Sequence, residues 1–132
     1  MLLIHSDKEG LLPFVERSSG GMRMFKEEDF EWLQIIGCLK KAGMKLCDIK
    51  SFIELAMLGD STINDRLQLI VAQKERVEEE IKELNKTLLT LKFKEWYYIN
   101  ALKDGTTKNV RNMSSEELPL EFREVHKRLK GN

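Results

Sequence analysis

The stretch INDRLQLIVAQKERVEEEIKELNKTLLTLKFKEWYYINAL, Ile63 to Leu102, decides how the rest of this sequence is read. Stepping alternately four and three residues from Ile63 lands on Leu67, Ile70, Lys74, Val77, Ile81, Leu84, Leu88, Leu91, Glu95, Tyr98 and Leu102. All but Lys74 and Glu95 are apolar or aromatic, which is the a/d seam of a heptad helix. At 1.5 Å per residue such a helix is roughly 60 Å long, more than a domain of this size covers with its own core. It needs another helix, and no other segment of the chain is long enough to supply one. The seam therefore predicts a homodimer, with a coiled coil over residues 62–102. Lys74 and Glu95 lie symmetrically about Leu84 and Asn85. An antiparallel pairing sets Lys74 near Glu95 of the partner subunit, whereas a parallel one sets like charge against like, so the antiparallel arrangement is expected.

Working outward, composition limits what this helix can serve. The chain has 132 residues, 42% hydrophobic and 33% charged, which suits one modest core plus an extended helix. Lys+Arg and Asp+Glu both total 22, so no global basic field announces a nucleic acid, and any such contact must come from local clustering. No run of about 18 apolar residues exists, and the initial MLLIH is too short for a signal peptide and lacks its charged flank. The expectation is a cytoplasmic protein without a membrane partner. Cys38 and Cys47 are not in Cys-x-x-Cys spacing and read as reduced thiols. His5 and His126 are isolated, and residues 60–115 contain no Cys or His, so no metal or other cofactor is expected. There is no nucleophile–base pair, no Gly-rich phosphate loop and no Glu-x-x-His, which disfavours an enzyme.

Upstream of the seam, LLPFVER and MRMF are short apolar-biased runs separated by SSGG, which predicts a β-hairpin from Phe14 to Phe25. KEEDFEWLQIIGCLKKAG places Trp32, Ile35, Ile36 and Leu39 on one helical stripe, with Gly43 as its stop. KLCDIKSFIELAMLG does the same with Leu46, Ile49, Phe52, Ile53 and Met57 before Gly59. Lys26 and Lys45 stand at the N-cap positions, where neither side chain can accept a hydrogen bond. Downstream, KDGTTKNVRNMSSEE has loop composition and ELPLEFREVHKRLKG suits one short helix. Trp96, Tyr97 and Tyr98 at the coil's end have two readings, the lining of a small pocket in the dimer or packing against the partner's helices, and packing is the expected one. The fold class is mainly α.

The order hairpin, helix, helix, long dimer helix, with the words DKEGLLP, RSSGGMRMF, EEDFEWL and AGMKLCDIK, resembles the MerR family of bacterial transcriptional regulators over roughly residues 7 to 102. The resemblance implies an incomplete winged-helix domain at 1–59 (wing 14–25, helix pair 27–58), a dimerisation coil at 62–102 and a C-terminal loop and short helix at 103–132. It implies double-stranded promoter DNA as a partner, and RNA polymerase as a second. Arg17 matches the arginine of the first wing strand, and Gly21 and Arg23 match a Gly-Tyr-Arg element in which Met22 replaces tyrosine. Phe25 takes the place of the final wing aromatic, and the two arginines would reach the DNA backbone. The family's first helix and most of its recognition helix should precede DKEGLLP, where only six residues stand and Ile4, His5 and Ser6 occupy an Arg-Tyr-Tyr position. The base-reading element is thus expected to be missing. Cys38 resembles a cysteine of the branch associated with aldehydes and thiol stress, at the stripe's edge near Ile35 and Ala42. Its other reading is a small buried hydrophobe. Two functions follow: a dimeric DNA-binding regulator responding to electrophiles through Cys38, or a dimerisation protein without sequence-specific DNA binding that pairs with a full-length regulator.

Overall fold

The computed structural model describes residues 10–13, 16–17, 19–21, 23–24 and 26–130, with backbone alone at 16, 17 and 23. Ile4, His5, Ser6, Phe14, Met22 and Phe25 lie outside the described residues. The chain divides into two compact units, Met1–Val77 and Glu78–Asn132.

In the first unit, β1 (Glu16–Arg17) pairs antiparallel with β2 (Arg23–Met24), Glu16 opposite Met24 and Arg17 opposite Arg23. Gly21 takes φ 83° in the reversal between them, a backbone region that a side chain resists. Three helices follow: α1 (Glu27–Lys41), α2 (Leu46–Met57) and α3 (Ile63–Asp104), the last with 42 residues and two residues longer at its end than the heptad count predicts.

Helix α1 begins without a capping side chain at Lys26; Asp29 supplies the missing acceptor from three residues on. Its Oδ2 accepts the Lys26 backbone N–H at 2.8 Å, and the carboxylate is buried at the positive end of the helix dipole. The other end closes in a Schellman turn. The Met44 N–H donates to the Leu39 carbonyl and the Gly43 N–H to that of Lys40, both at 3.0 Å, with Gly43 at φ 85°. Met44 and Leu39 are both buried, which completes the apolar contact this turn favours.

Helices α1 and α2 bury Leu33, Ile36, Leu39, Ile49, Phe52 and Ile53 together with Leu11, Leu12 and Met44. The centre of the α1 stripe is Leu33 and Ile36; Trp32 and Ile35 sit at its edge, half-buried. Apolar residues cover a wide arc of α1, so periodicity alone does not pick the line that faces inward. In α2 the terminal stripe members Leu46 and Met57 are exposed, because the core ends one turn inside the helix. Each fully buried Leu or Ile contributes about 1.5–3 kcal/mol.

Three polar side chains, Thr62 in the 3-10 turn Asp60–Thr62 and Arg66 and Gln73 on α3, fasten the start of α3 to this helix pair. Thr62 is buried, with Oγ1 facing the carbonyls of Leu55 and Gly59, the latter at 2.8 Å, and accepting from Arg66 Nε at 3.1 Å. Arg66 Nη2 also donates to the Gly59 carbonyl at 3.1 Å. Gln73, 5% exposed, donates from Nε2 to the Ala42 carbonyl at 2.8 Å. That oxygen is one of the carbonyls a helix end leaves without an internal partner. Leu69 and Ile70 pack on the same core, so one seam position is covered by the chain itself.

In the second unit Phe93 from α3 meets Leu118, Phe122 and Val125, with Leu89, Trp96 and Met113 around them. Here the structure corrects two expectations. Trp96 packs within its own chain, its ring 6.3 Å from Phe93 and 6.0 Å from Phe122, so this member of the aromatic cluster meets the C-terminal segment while Tyr98 stays exposed. That segment is also more divided than loop-then-helix. It forms α4 (Lys108–Arg111), 3-10 turns at Ser115–Glu117 and Leu120–Phe122, and α5 (Arg123–Leu129). Pro119 accounts for the late start of α5: Leu118 before it is extended at ψ 155°, as the proline ring requires. Among the described residues no helix is long and apolar enough to cross a membrane.

Replacing Gln73 by Ala takes this donor from the Ala42 carbonyl, and we expect a loss of about 0.5–1.5 kcal/mol in urea unfolding, read at fixed protein concentration. A pH effect follows from His126, whose Nδ1 lies 2.8 Å from Ser115 Oγ and whose ring meets Phe93 edge-on. Desolvation, then the charges of Lys130 and Lys94, hold its pKa below the ordinary 6.5. The unfolded chain then takes up the proton first. Stability from this group is therefore complete above pH 6.5 and drains as pH falls through the depressed folded value. Urea midpoints at neutral and mildly acidic pH should separate more for the wild type than for His126→Asn.

Candidate functional site

Three features carry the sequence-predicted functional residues. The first is the ladder of β1 and β2. Arg17 and Arg23 occupy directly opposed positions in its register, and opposed positions of an antiparallel pair share a face. The turn that sets this register runs through Gly21, where an added Cβ would meet open space but a strained φ.

The second feature is the apolar face of α3. Ile63, Leu67, Ile81, Leu84, Leu88, Leu91, Tyr98 and Leu102 are all exposed, Leu84 at 67% and Leu102 at 84%. Val77 is half-buried, Ile70 lies on the first core, and Lys74 and Glu95 are exposed. From Glu78 through Leu88 every residue of the helix is exposed. The heptad count missed Leu58, an apolar residue 73% exposed just before α3; its only signal is its place beside Gly59, outside the α2 stripe.

The third is the pair of thiols. Cys38 lies on α1 and is exposed, which overturns its reading as a buried hydrophobe. The reason is local: the α1 core line runs through Leu33, Ile36 and Leu39, and Cys38 falls off it. Cys47, in the first turn of α2, is exposed too, its Sγ 4.0 Å from Asp48 Oδ1. The structure brings no second sulfur, and among the described residues no His/Cys/Asp/Glu cluster, to either thiol.

Comparison with known proteins adds to this geometry. Residues 6–55 match the family described as MerR HTH family regulatory protein. The chain is 44% identical over 104 residues to an uncharacterized HTH-type transcriptional regulator of Haemophilus influenzae, covering 79% of this chain and 77% of that protein. Among solved structures it is similar to HiNmlR, described as a MerR family regulator lacking the sensor domain and bound to promoter DNA. The TM-score there is 0.69 at 43% identity, over 81% of this chain and 85% of that one. A MerR family transcriptional regulator from Bacillus thuringiensis gives a TM-score of 0.63 at 42% identity, over 69% and 80% of the two chains.

Exposure of both cysteines makes a direct forecast: the native protein should consume two equivalents of a thiol reagent per chain without denaturant. If Cys38 labels only after unfolding, followed by mass spectrometry, its place on the open side of α1 is wrong.

Proposed function

This chain belongs to the MerR family of HTH regulators and is a DNA-binding transcriptional regulator of that type; on that premise we propose that it acts as an antiparallel homodimer on double-stranded promoter DNA. The observation that carries the dimer is the bare segment Glu78–Leu88. A helix with no tertiary cover along that length has little to hold it, since helical stability in proteins comes mostly from packing one face. Ile81, Leu84 and Leu88 on that segment are the apolar side chains a second copy would bury. Antiparallel pairing brings Lys74 to Glu95 of the partner subunit, turning the two polar seam positions into opposite charges across the pair.

On this reading residues 1–59 form the DNA-binding part, with β1 and β2 as its wing, and residues 62–102 form the coil. Arg17 and Arg23 contact phosphates beside the Gly21 turn, and the opposed register of the two arginines supports a shared anionic target. The protein regulates by binding and not by catalysis, works in the cytoplasm, and reaches RNA polymerase in the manner the family resemblance implies. The exposed Cys38 thiol supports control by electrophiles: bulk added there would shift the helix pair against the partner's coil. The match to residues 6–55 and the promoter-bound HiNmlR structure support the DNA target.

The test uses the full chain and duplex DNA selected from a randomised library, with scrambled duplex as reference. At physiological salt the wild type should prefer the selected site. Arg17→Ala/Arg23→Ala should weaken both duplexes about equally and flatten the salt dependence of log K by about one for every phosphate no longer neutralised. Ile81→Asp/Leu88→Asp should be monomeric or unfolded by light scattering, because it places unpaired charges in the seam. A wild type that binds both duplexes alike would instead favour a dimerisation protein pairing with a full-length regulator, and a folded monomer from the wild type would remove the coil.

A further inference from the structure

The second unit holds a site that the regulator reading does not use. Along α3, Lys94 and Tyr97 lie one turn apart, and α4 and α5 bring Arg111, His126 and Lys130 to the same place. Together with Phe93 they line a cavity of about 180 Å³. Three permanent cations and an imidazole thus share one small space, and among the described residues no carboxylate lines it. Cations gathered without a counter-charge raise each other's energy, and an anion in their midst removes that cost.

Several of these groups are held in place. Lys94 Nζ sits 4.8 Å from the Tyr97 ring centroid and 5.7 Å from that of Phe93, within cation–π range. Arg111 Nη2 donates to Thr107 Oγ1 at 2.6 Å, anchoring a guanidinium whose five N–H groups exceed what one hydroxyl can take. Ser115 Oγ holds His126 by Nδ1, and the Phe93 ring meets the imidazole 6.0 Å away at 86°. The depressed pKa of His126, partly from Lys130 and Lys94, reports the positive potential at the same spot.

Charge alone does not describe the cavity, since aromatic and aliphatic walls make up much of it. A bare inorganic ion would leave those walls against water. The volume is below the roughly 300–1,000 Å³ of sites for drug-sized ligands, which restricts the occupant to about one ring. We propose that this cavity binds a small organic carboxylate with a planar apolar body, its carboxylate between Arg111 and Lys130 and its body against Tyr97, Val110 and Leu129. Arginine suits that group because its planar fork can meet a carboxylate through two parallel hydrogen bonds. The Tyr97 ring also meets the Tyr98 ring, 5.0 Å away at 75°, so the cavity wall touches a seam residue.

The experiment is calorimetric titration of the full-length protein with benzoate, with inorganic phosphate supplying charge without a body and benzyl alcohol a body without charge. The His126 and Tyr97 ring signals are followed by NMR in parallel. Benzoate should bind and shift both rings, with phosphate and benzyl alcohol at least about tenfold weaker. Arg111→Gln and Lys130→Gln should each lower benzoate affinity about tenfold or more, the effect of losing one charged hydrogen bond. Lys127→Gln, exposed on the same helix and outside the cavity, should leave it unchanged. No benzoate binding, equal binding of phosphate or benzyl alcohol, or full affinity in both substituted proteins would overturn the assignment. The wild-type titration decides even if a variant fails to fold, and none of these outcomes bears on DNA binding or dimerisation.

Discussion

The hydrogen bond from Gln73 to the Ala42 carbonyl is the constraint on which the first unit depends. A helix C-terminus leaves carbonyls without internal partners, and the end of α1 must turn sharply at Gly43 for α2 to fold back. Backbone donors from Gly43 and Met44 satisfy two of those oxygens locally. The Ala42 carbonyl accepts from a side chain 31 residues away, and that bond can form only if α3 lies against the helix pair. One amide therefore ties the closing of a local turn to a tertiary arrangement. Thr62 and Arg66 act in the same way at the end of α2, where the Leu55 and Gly59 carbonyls are met from the turn before α3 and from its first turn. Polar bonds of this kind have definite donors and acceptors, so they set register as well as adding stability.

Helix α3 serves two masters in its chemistry. Within the first unit it offers Leu69, Ile70 and Gln73 to the core of α1 and α2. Within the second it offers Leu89, Phe93 and Trp96 to the C-terminal segment, a row about a hundred degrees around the helix from Leu88 and Glu95. Apart from Ile70 and the half-buried Val77, the seam residues are left over from both assignments. A helix that is apolar on more than one face has more than one thing to bury, and here the chain covers only part of it. In the dimer proposed above, a partner helix on the remaining face would join folding and function, because the surface that completes the helix would also pair the two subunits.

The opposed arginines of β1 and β2 and the cationic cavity of the second unit follow one electrostatic logic at different places. The chain as a whole carries no net charge, so it attracts no anion from a distance. Selectivity falls to local groupings, a two-arginine ladder in one unit and a cavity of mixed cations and rings in the other. On the proposed readings the first meets an extended backbone of phosphates, and the second takes a single ring-sized molecule.

The heptad spacing of Ile63 to Leu102, the stops at Gly43 and Gly59 and the helix pair were legible in the amino-acid order, because periodicity and positive-φ glycines are local properties. The order of elements also carried the family. What periodicity could not choose was which line of a broadly apolar helix turns inward: α1 centres on Leu33 and Ile36, and Cys38 consequently faces out. Nor could it reveal that Asp29 would act for the absent cap, or that Gln73, one polar residue beside a seam, would close a helix 31 residues earlier. Trp96 gave an aromatic signal without an address, and Pro119 with the turns after it decided that the chain itself would supply the cover. Lys94, Arg111, His126 and Lys130 follow no sequence spacing at all; only the packing of α3, α4 and α5 assembles them. Local order along the chain determined the elements and their ends, and long-range contacts between residues far apart decided which surfaces were buried, because burial is a property of pairs of elements and not of one.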